Sequence, residues 1–213
     1  APPIGRRVRY WDKASVADGG DYSAGVLMAE SQGIYYVEDV VRGQWSPMNR
    51  NKIMLQTARL DAAKYGNTVH VVVEQEPGSG GRESAMLTVQ QLAGVPVFVD
   101  KPSGRLNRIK DHMRLPGEGK VTRAQPLIAQ CEAGNVKIVA GTWNRDYLDE
   151  ICSFPESTHD DQVDGSSGAF NKLAPLANLS DMAPTTLDVR GEVPHSVRFD
   201  RRQQGRRGVF GSD

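Results

Sequence analysis

The chain has 213 residues, and its 26 Lys and Arg are matched by 26 Asp and Glu, so the formal net charge is zero. Hydrophobic residues at 38% and charged residues at 24% describe a folded chain long enough for one sizeable domain, which excludes a disordered polyelectrolyte and a mini-protein stapled by disulfides. No apolar run reaches the length of a membrane span, APPIGRRVRY lacks the apolar centre of a secretion signal, and two cysteines, Cys131 and Cys152, make no disulfide framework and fit a reducing cytoplasm.

Residues 6–13, RRVRYWDK, alternate as a strand does, with Val8, Tyr10 and Asp12 on one face. After the Gly- and Asp-rich turn ADGGDYS, residues 22–30 form a second strand and residues 34–41 a third; the short connections predict an antiparallel meander. Ser46-Pro47 opens a helix that stops at Gly66, because serine caps free N–H groups and proline fits the first helical position. Residues 68–76, TVHVVVEQE, form a fourth strand whose triple valine predicts burial on both faces. PGSGG turns the chain into a helix over 82–93, and VPVFV at 95–99 is a fifth strand. Residues 101–122 are basic and rich in Gly and Pro and read as a long excursion. A helix over 123–133, a short strand at 136–139 and helices over 144–153 and 159–173 follow. From Ala174 onward hydrophobic periodicity disappears, which predicts a tail with little core of its own.

The neutral total hides a segregated charge. Residues 1–10, 103–123 and 190–207 carry net charges of +3, +4 and +4, which leaves −11 elsewhere. Residues 145–165 hold Asp146, Asp149, Glu150, Glu156, Asp160, Asp161 and Asp164 against Arg145. A single charge run is ordinarily a solvated face, but basic flanks around an acidic centre also suit a protein that holds a phosphate backbone and binds cations between carboxylates.

Three acidic sites fall at element ends: Asp12 after the first strand, Glu74 and Glu76 after the fourth, and Asp160, Asp161 and Asp164 at the start of the last helix. If the first and fourth strands are neighbours, Asp12 and Glu76 share an edge, and a helix across that edge brings Asp161 to them. Carboxylates that close repel unless they are protonated or bridged by cations. Hard divalent ions with oxygen ligands meet that need, and Mg²⁺ and Mn²⁺ suit an all-carboxylate set. Each acid also has a structural reading, as a turn residue, a solvated strand end or a complement to a helix dipole. His159 reads as a helix-start residue or a ligand; His70, His112 and His195 have no metal-ligand spacing, and GSGG is not followed by the Gly-Lys-Ser/Thr of a phosphate loop. Trp11, Trp45 and Trp143 read as packing residues.

The stretch FPESTHDDQVDGSSGAFNKL (154–173) resembles the last nuclease motif of the large terminase subunits of tailed bacteriophages, which read Phe-Pro, a short spacer, His-Asp-Asp-x-x-Asp and an apolar helix. RYWDKASVADGGDYSAGVLM (9–28) resembles the first motif of that family and VVVEQEPGSGG (71–81) the second; AQCEAGNVKIV and TWNRDYLDEI are similar to two further recurrent segments. The resemblance covers residues 5–173. It implies an α/β, RNase H-like domain with a mixed five-stranded sheet in βββαβαβα order and helices on both faces. It implies Asp12, Glu76 and Asp161 as catalytic residues that, with Asp160, bind two Mg²⁺ or Mn²⁺ ions. Glu76 is preferred to Glu74 because related terminases place the acid five residues before a glycine, as Glu76 stands to Gly81. Glu74, His159 and Asp164 are the implied supporting residues.

The implied activity is metal-dependent endonucleolytic cutting of concatemeric double-stranded viral DNA by two-metal phosphodiester hydrolysis. Arg105, Arg108, Lys110, Arg114, Lys120 and Arg123 would then contact DNA phosphates. Residues 1–5 are expected to be the remnant of an interdomain linker, residues 6–173 the nuclease domain with its excursion at 103–123, and residues 174–213 a basic, flexible tail. The family's N-terminal packaging ATPase carries a Walker A loop that does not occur here, so this chain is expected to be the C-terminal nuclease portion. The implied partners are that ATPase, the portal and the small terminase subunit, and the implied location is the host bacterial cytoplasm, away from membranes and outside the virion's structural parts. The rival readings are another RNase H-like enzyme, such as a Holliday-junction resolvase or transposase, and a noncatalytic module that docks DNA or the portal.

Overall fold

The computed structural model describes residues 1–14, 22–76, 78–101 and 118–174. Arg105, Arg108, Lys110, Arg114 and the expected tail beyond Ala174 lie outside the described residues. Six strands form one sheet: β1 (Arg6–Asp12), β2 (Ser23–Ser31), β3 (Ile34–Gly43), β4 (Val69–Glu74), β5 (Val97–Asp100) and β6 (Val136–Ile138). Their spatial order is β5-β4-β1-β2-β3-β6. The first three strands are the antiparallel meander, while β4 runs parallel to β1, β5 to β4 and β6 to β3. The expected five-stranded sheet thus gains the short strand at 136–138 as its sixth member.

Among the described residues five α-helices cover the sheet: α1 (Pro47–Tyr65), α2 (Ser79–Gln91), α3 (Glu118–Glu132), α4 (Asn144–Ser153) and α5 (Asp161–Leu173). Ser46 caps α1 by accepting from the Asn49 amide, as the Ser-Pro pair predicts. One face of the sheet packs Val8, Tyr10, Val26, Met28 and Val72 against Leu127 of α3, Tyr147 of α4 and Phe170 and Leu173 of α5. The other packs Trp11, Val71 and Val73 against Met54 and Ala58 of α1 and Leu92 beyond α2. The valine run of β4 is therefore buried on both sides, as a central strand requires. Among the described residues no helix is long and apolar enough to cross a membrane.

Two features of the sequence reading change. First, α3 begins at Glu118, five residues before the expected start, so Lys120 and Arg123 stand on a helix rather than in an excursion. Second, the N-terminal arginines are not a basic flank. Arg6 pairs with Glu30 at 2.9 Å, Arg7 with Glu38 at 2.9 Å, and Arg9 donates to both oxygens of Asp61 at 2.8 Å and to Asp39 at 2.8 Å. Arg7 and Arg9 are buried because they alternate with Val8 and Tyr10 on the central strand β1. A bulge opposite Leu27 and Met28 makes this possible. The extra residue resets the alternation of β3, so that Val37 and Val40 both enter the core while Glu38 and Asp39 both reach the arginines.

Candidate active site

The site lies where β1 and β4 end beneath the first turn of α5. Trp11 is in register with Val73, so the next residues along the two parallel strands, Asp12 and Glu74, stand side by side. Both follow the face that carries Tyr10 and Val72 toward α5. That helix can lie close to the sheet because its inner face is made of small residues. A Cβ on Gly168 would come within 2.3 Å of the Tyr10 ring, and one on Gly165 within 3.0 Å of Val26.

The N-terminus of α5 is held by α4. Glu150 is buried and accepts the Gln162 amide at 2.6 Å and the Gln162 side chain at 2.7 Å, and Arg42 lies 3.4 Å from its carboxylate. The helix end is thus fixed by a carboxylate brought from another helix, where the dipole favours negative charge. This fixes Asp161, the first residue of α5, and Asp164, one turn on and buried.

Two cations from α3 enter the cluster. Arg123 donates to Glu74 at 2.7 Å and also to Asp164. Lys120 lies 2.6 Å from Asp160 and 3.1 Å from Asp164. One guanidinium therefore spans the acid of β4 and the acid of α5. Burial holds Asp12 well above the usual carboxylate range, helped by the neighbouring charges of Glu74, Asp164 and Asp161 and opposed by Arg123. Asp161 is pushed up to about 6 by burial and by Glu150, with Arg42 opposing. Burial would lower Arg123, but Asp164 and Glu74 hold it above its ordinary value.

The structure brings the charges of Glu74, Asp164 and Asp161 to bear on Asp12, with Asp160 joined to Asp164 through Lys120, whereas Glu76 is not among the charges that act on Asp12. Glu76 lies past the end of β4, within electrostatic reach of Lys13 and Arg50. Its peptide is pinned by α2: a Cβ on Gly81 would meet the Glu76 carbonyl oxygen at 2.1 Å. Lys13 donates to Ser84 of α2 at 3.2 Å and is lowered to about 8 by burial and by Arg50. His159 sets its ring edge-on to Tyr22, with centroids 5.0 Å apart. Sequence reasoning missed Glu150 and the central position of Lys120 and Arg123. The Lys-x-x-Arg spacing, which puts both on one helix face, was the available signal.

The donor set tests whether divalent ions fit. Glu74 Oε2 and Asp161 Oδ2 are buried and accept no hydrogen bond, the state expected of oxygens that await a cation. All the converging acids are hard oxygen donors, which suits Mg²⁺ or Mn²⁺. Among the described residues no three His, Cys, Asp or Glu side chains are already drawn together closely enough to hold an ion; Arg123 and Lys120 stand between them.

Residues 9–173 match the Terminase RNaseH-like domain family. Comparison with curated proteins gives no match. The fold is similar to that of the human cytomegalovirus terminase nuclease domain soaked with Mn, with a TM-score of 0.57, 12% identity, and 81% of this chain and 85% of that chain covered. The inhibitor-bound form of the same domain gives a TM-score of 0.55 over the same shares. The large terminase of a thermophilic bacteriophage aligns at a TM-score of 0.48 and 13% identity, over 80% of this chain and 40% of that one. The acid-ended strands, the helix laid across them and the family match over most of the chain lead to one conclusion: this chain belongs to the terminase RNase H-like domain family.

Proposed function

We propose that this domain is the nuclease of a tailed-bacteriophage genome-packaging motor, and that it cuts concatemeric double-stranded DNA with two Mg²⁺ or Mn²⁺ ions. The observation that carries the reading is the convergence of Asp12, Glu74, Asp161 and Asp164 around buried oxygens that lack donors. Asp12, Glu74 and Asp161 would hold the ions, with Asp164 and Asp160 beside them. Glu74 replaces Glu76 in this role because it directly follows Val73, the partner of Trp11, and its charge acts on Asp12. Ions bound there would supply an activated water and would neutralise the charge on the leaving oxygen.

The chain's own residues do the rest. Glu150 fixes the angle at which Asp161 is presented. Arg123 and Lys120 bring positive charge to where a phosphodiester must sit. The motor partners, namely a packaging ATPase, a portal and a small terminase subunit, and the location in the bacterial host follow from this reading and share its fate. Cleavage of supercoiled plasmid in Mn²⁺ tests it. The wild-type chain is expected to nick and linearise plasmid, and Asp12→Asn is expected to be inactive. Equal activity of Asp12→Asn would refute the site, and a strong preference for four-way junctions would point instead to a resolvase.

A further inference from the structure

Lys120 and Arg123 are one helical turn apart on α3, so both point from one face. Between them they engage Asp160, Asp164 and Glu74; Glu74 carries one of the oxygens left without donors, and Asp160 precedes Asp161, which carries the other. Two features leave the pair room to let go. Lys120 keeps 47% of its side-chain surface exposed and Arg123 33%, so both have a path to solvent. The turns that carry them lie before Pro126, which has no amide hydrogen for the helical bond to the fourth residue back. That half of α3 is therefore joined to the remainder by one hydrogen bond fewer. Ala124 before Pro126 and Leu127 after it are both buried, so release is a swing of the two side chains with the helix in place.

A guanidinium and an ammonium at a cluster of buried carboxylates offset the repulsion between the acids and hold them near one another. They also compete with any divalent ion for the same oxygens. We propose that Lys120 and Arg123 are built-in counter-cations of this site. They hold the carboxylates in the metal-free state, yield those oxygens to divalent ions, and then engage the non-bridging oxygens of the DNA phosphodiester. The pair thereby couples metal loading to grip on the substrate. The freed side chains sit beside the loaded site with no carboxylate left to neutralise, and an arginine fork matches two phosphate oxygens. This inference rests on the proposed metal-dependent nuclease site. It assigns Lys120 and Arg123 to the phosphodiester at that site rather than to the DNA backbone in general.

The test is calorimetric titration of Mn²⁺ into the full chain, alongside DNA binding in Ca²⁺ over a salt series. Arg123→Gln and Lys120→Gln are compared with wild type and with Asp12→Asn. Arg123→Gln is expected to bind Mn²⁺ about tenfold more tightly, since a charge-assisted hydrogen bond no longer has to be exchanged. The same variant is expected to bind DNA more weakly, with a log–log salt slope smaller by about one. The half-exposed Lys120→Gln, which carries the least folding risk, should move both readouts in the same directions. Mn²⁺ affinity that is unchanged or weaker in both variants, or DNA binding that is unaffected, would overturn the inference. Absence of Mn²⁺ binding in wild type, or equal binding in Asp12→Asn, would instead overturn the metal site itself.

Discussion

Substituting Gly168→Ala probes whether the close approach of α5 to the sheet sets the site. The added Cβ would stand 2.3 Å from Tyr10 Cε1 and 2.4 Å from Cζ, where ordinary contact begins at 3.4 Å. About 1 Å of movement must therefore be found. The Tyr10 ring has little freedom to give it. The ring is 1% exposed, and its hydroxyl donates at 2.8 Å to Asp100, which Lys172 holds at 2.6 Å. The helix must shift instead, and Asp161 and Asp164 move with it. Overpacking costs about 1–3 kcal/mol, and replacing a helical glycine returns up to about 1 kcal/mol. With the full return the net loss is up to about 2 kcal/mol, a fall in Tm of up to about 8 °C for a domain of this size. A displacement of that order at reacting atoms costs about 100-fold in cleavage. Thermal melts and plasmid cleavage in Mn²⁺ read both quantities. Gly80→Ala is the control, because a Cβ there meets nothing within 4 Å; it should leave stability equal to wild type or slightly higher. A Gly168→Ala protein with wild-type Tm and cleavage within about twofold of wild type would show that close packing of α5 does not set the site.

Further outcomes follow from the same contacts. Glu74→Gln should reduce metal-dependent cleavage by more than about 100-fold, the upper range for groups outside the ligand set, whereas Glu76→Gln should stay within about tenfold; equal losses would restore Glu76 to the site. Asp61→Ala leaves Arg9 buried without its bidentate partner and should cost about 3–5 kcal/mol in urea unfolding; a loss below about 1 kcal/mol would contradict that expectation. Asp161, held near 6 against an ordinary 3.8, is protonated below that pH, so Mn²⁺ affinity should fall as pH drops through about 6, by up to about tenfold per unit for each proton displaced. The sign for folding is opposite. A carboxyl raised in the fold takes up its proton earlier than in the unfolded chain, so Asp161 makes the metal-free protein more stable as pH falls from about 6 toward 4. A flat Mn²⁺ affinity between about pH 5 and 7 would contradict the first expectation, and urea stability of the metal-free protein that does not rise between about pH 6 and 4 would contradict the second.

The sheet and its acidic edge were legible because local signals agreed. Short turns set the meander, the valine run marked a strand buried on both faces, and alternation placed Asp12 with Tyr10 and Val8. The choice between Glu74 and Glu76 was not legible from alternation, since residues two apart share a face in a strand. What separates them is where the chain leaves the sheet: the Gln75 amide still bonds to Asp100 at 2.8 Å, and α2 then packs against the Glu76 peptide. The early start of α3 was hidden by glycine and proline near 116–119 and by Pro126. Contacts of Ala124 and Leu127 with the core and the ion pairs of Lys120 and Arg123 override that local preference. Arg7 and Arg9 looked like a basic flank because their partners Glu38, Asp39 and Asp61 lie about 30 to 50 residues away. Part of the zero net charge is thus internal pairing, and part is a carboxylate site partly offset by Lys120 and Arg123 of one helix.

Whether Asp12, Glu74 and Asp161 together bind the divalent ions that cleave DNA is decided most directly by a crystal structure of the chain grown with Mn²⁺, with the ions located by anomalous scattering. Peaks are expected within about 2.0–2.3 Å of Asp12, Glu74 and Asp161 oxygens, with Arg123 withdrawn from Glu74. Ions held through Glu76 and away from Glu74, or no ion at Asp12 at saturating Mn²⁺, would contradict the assignment.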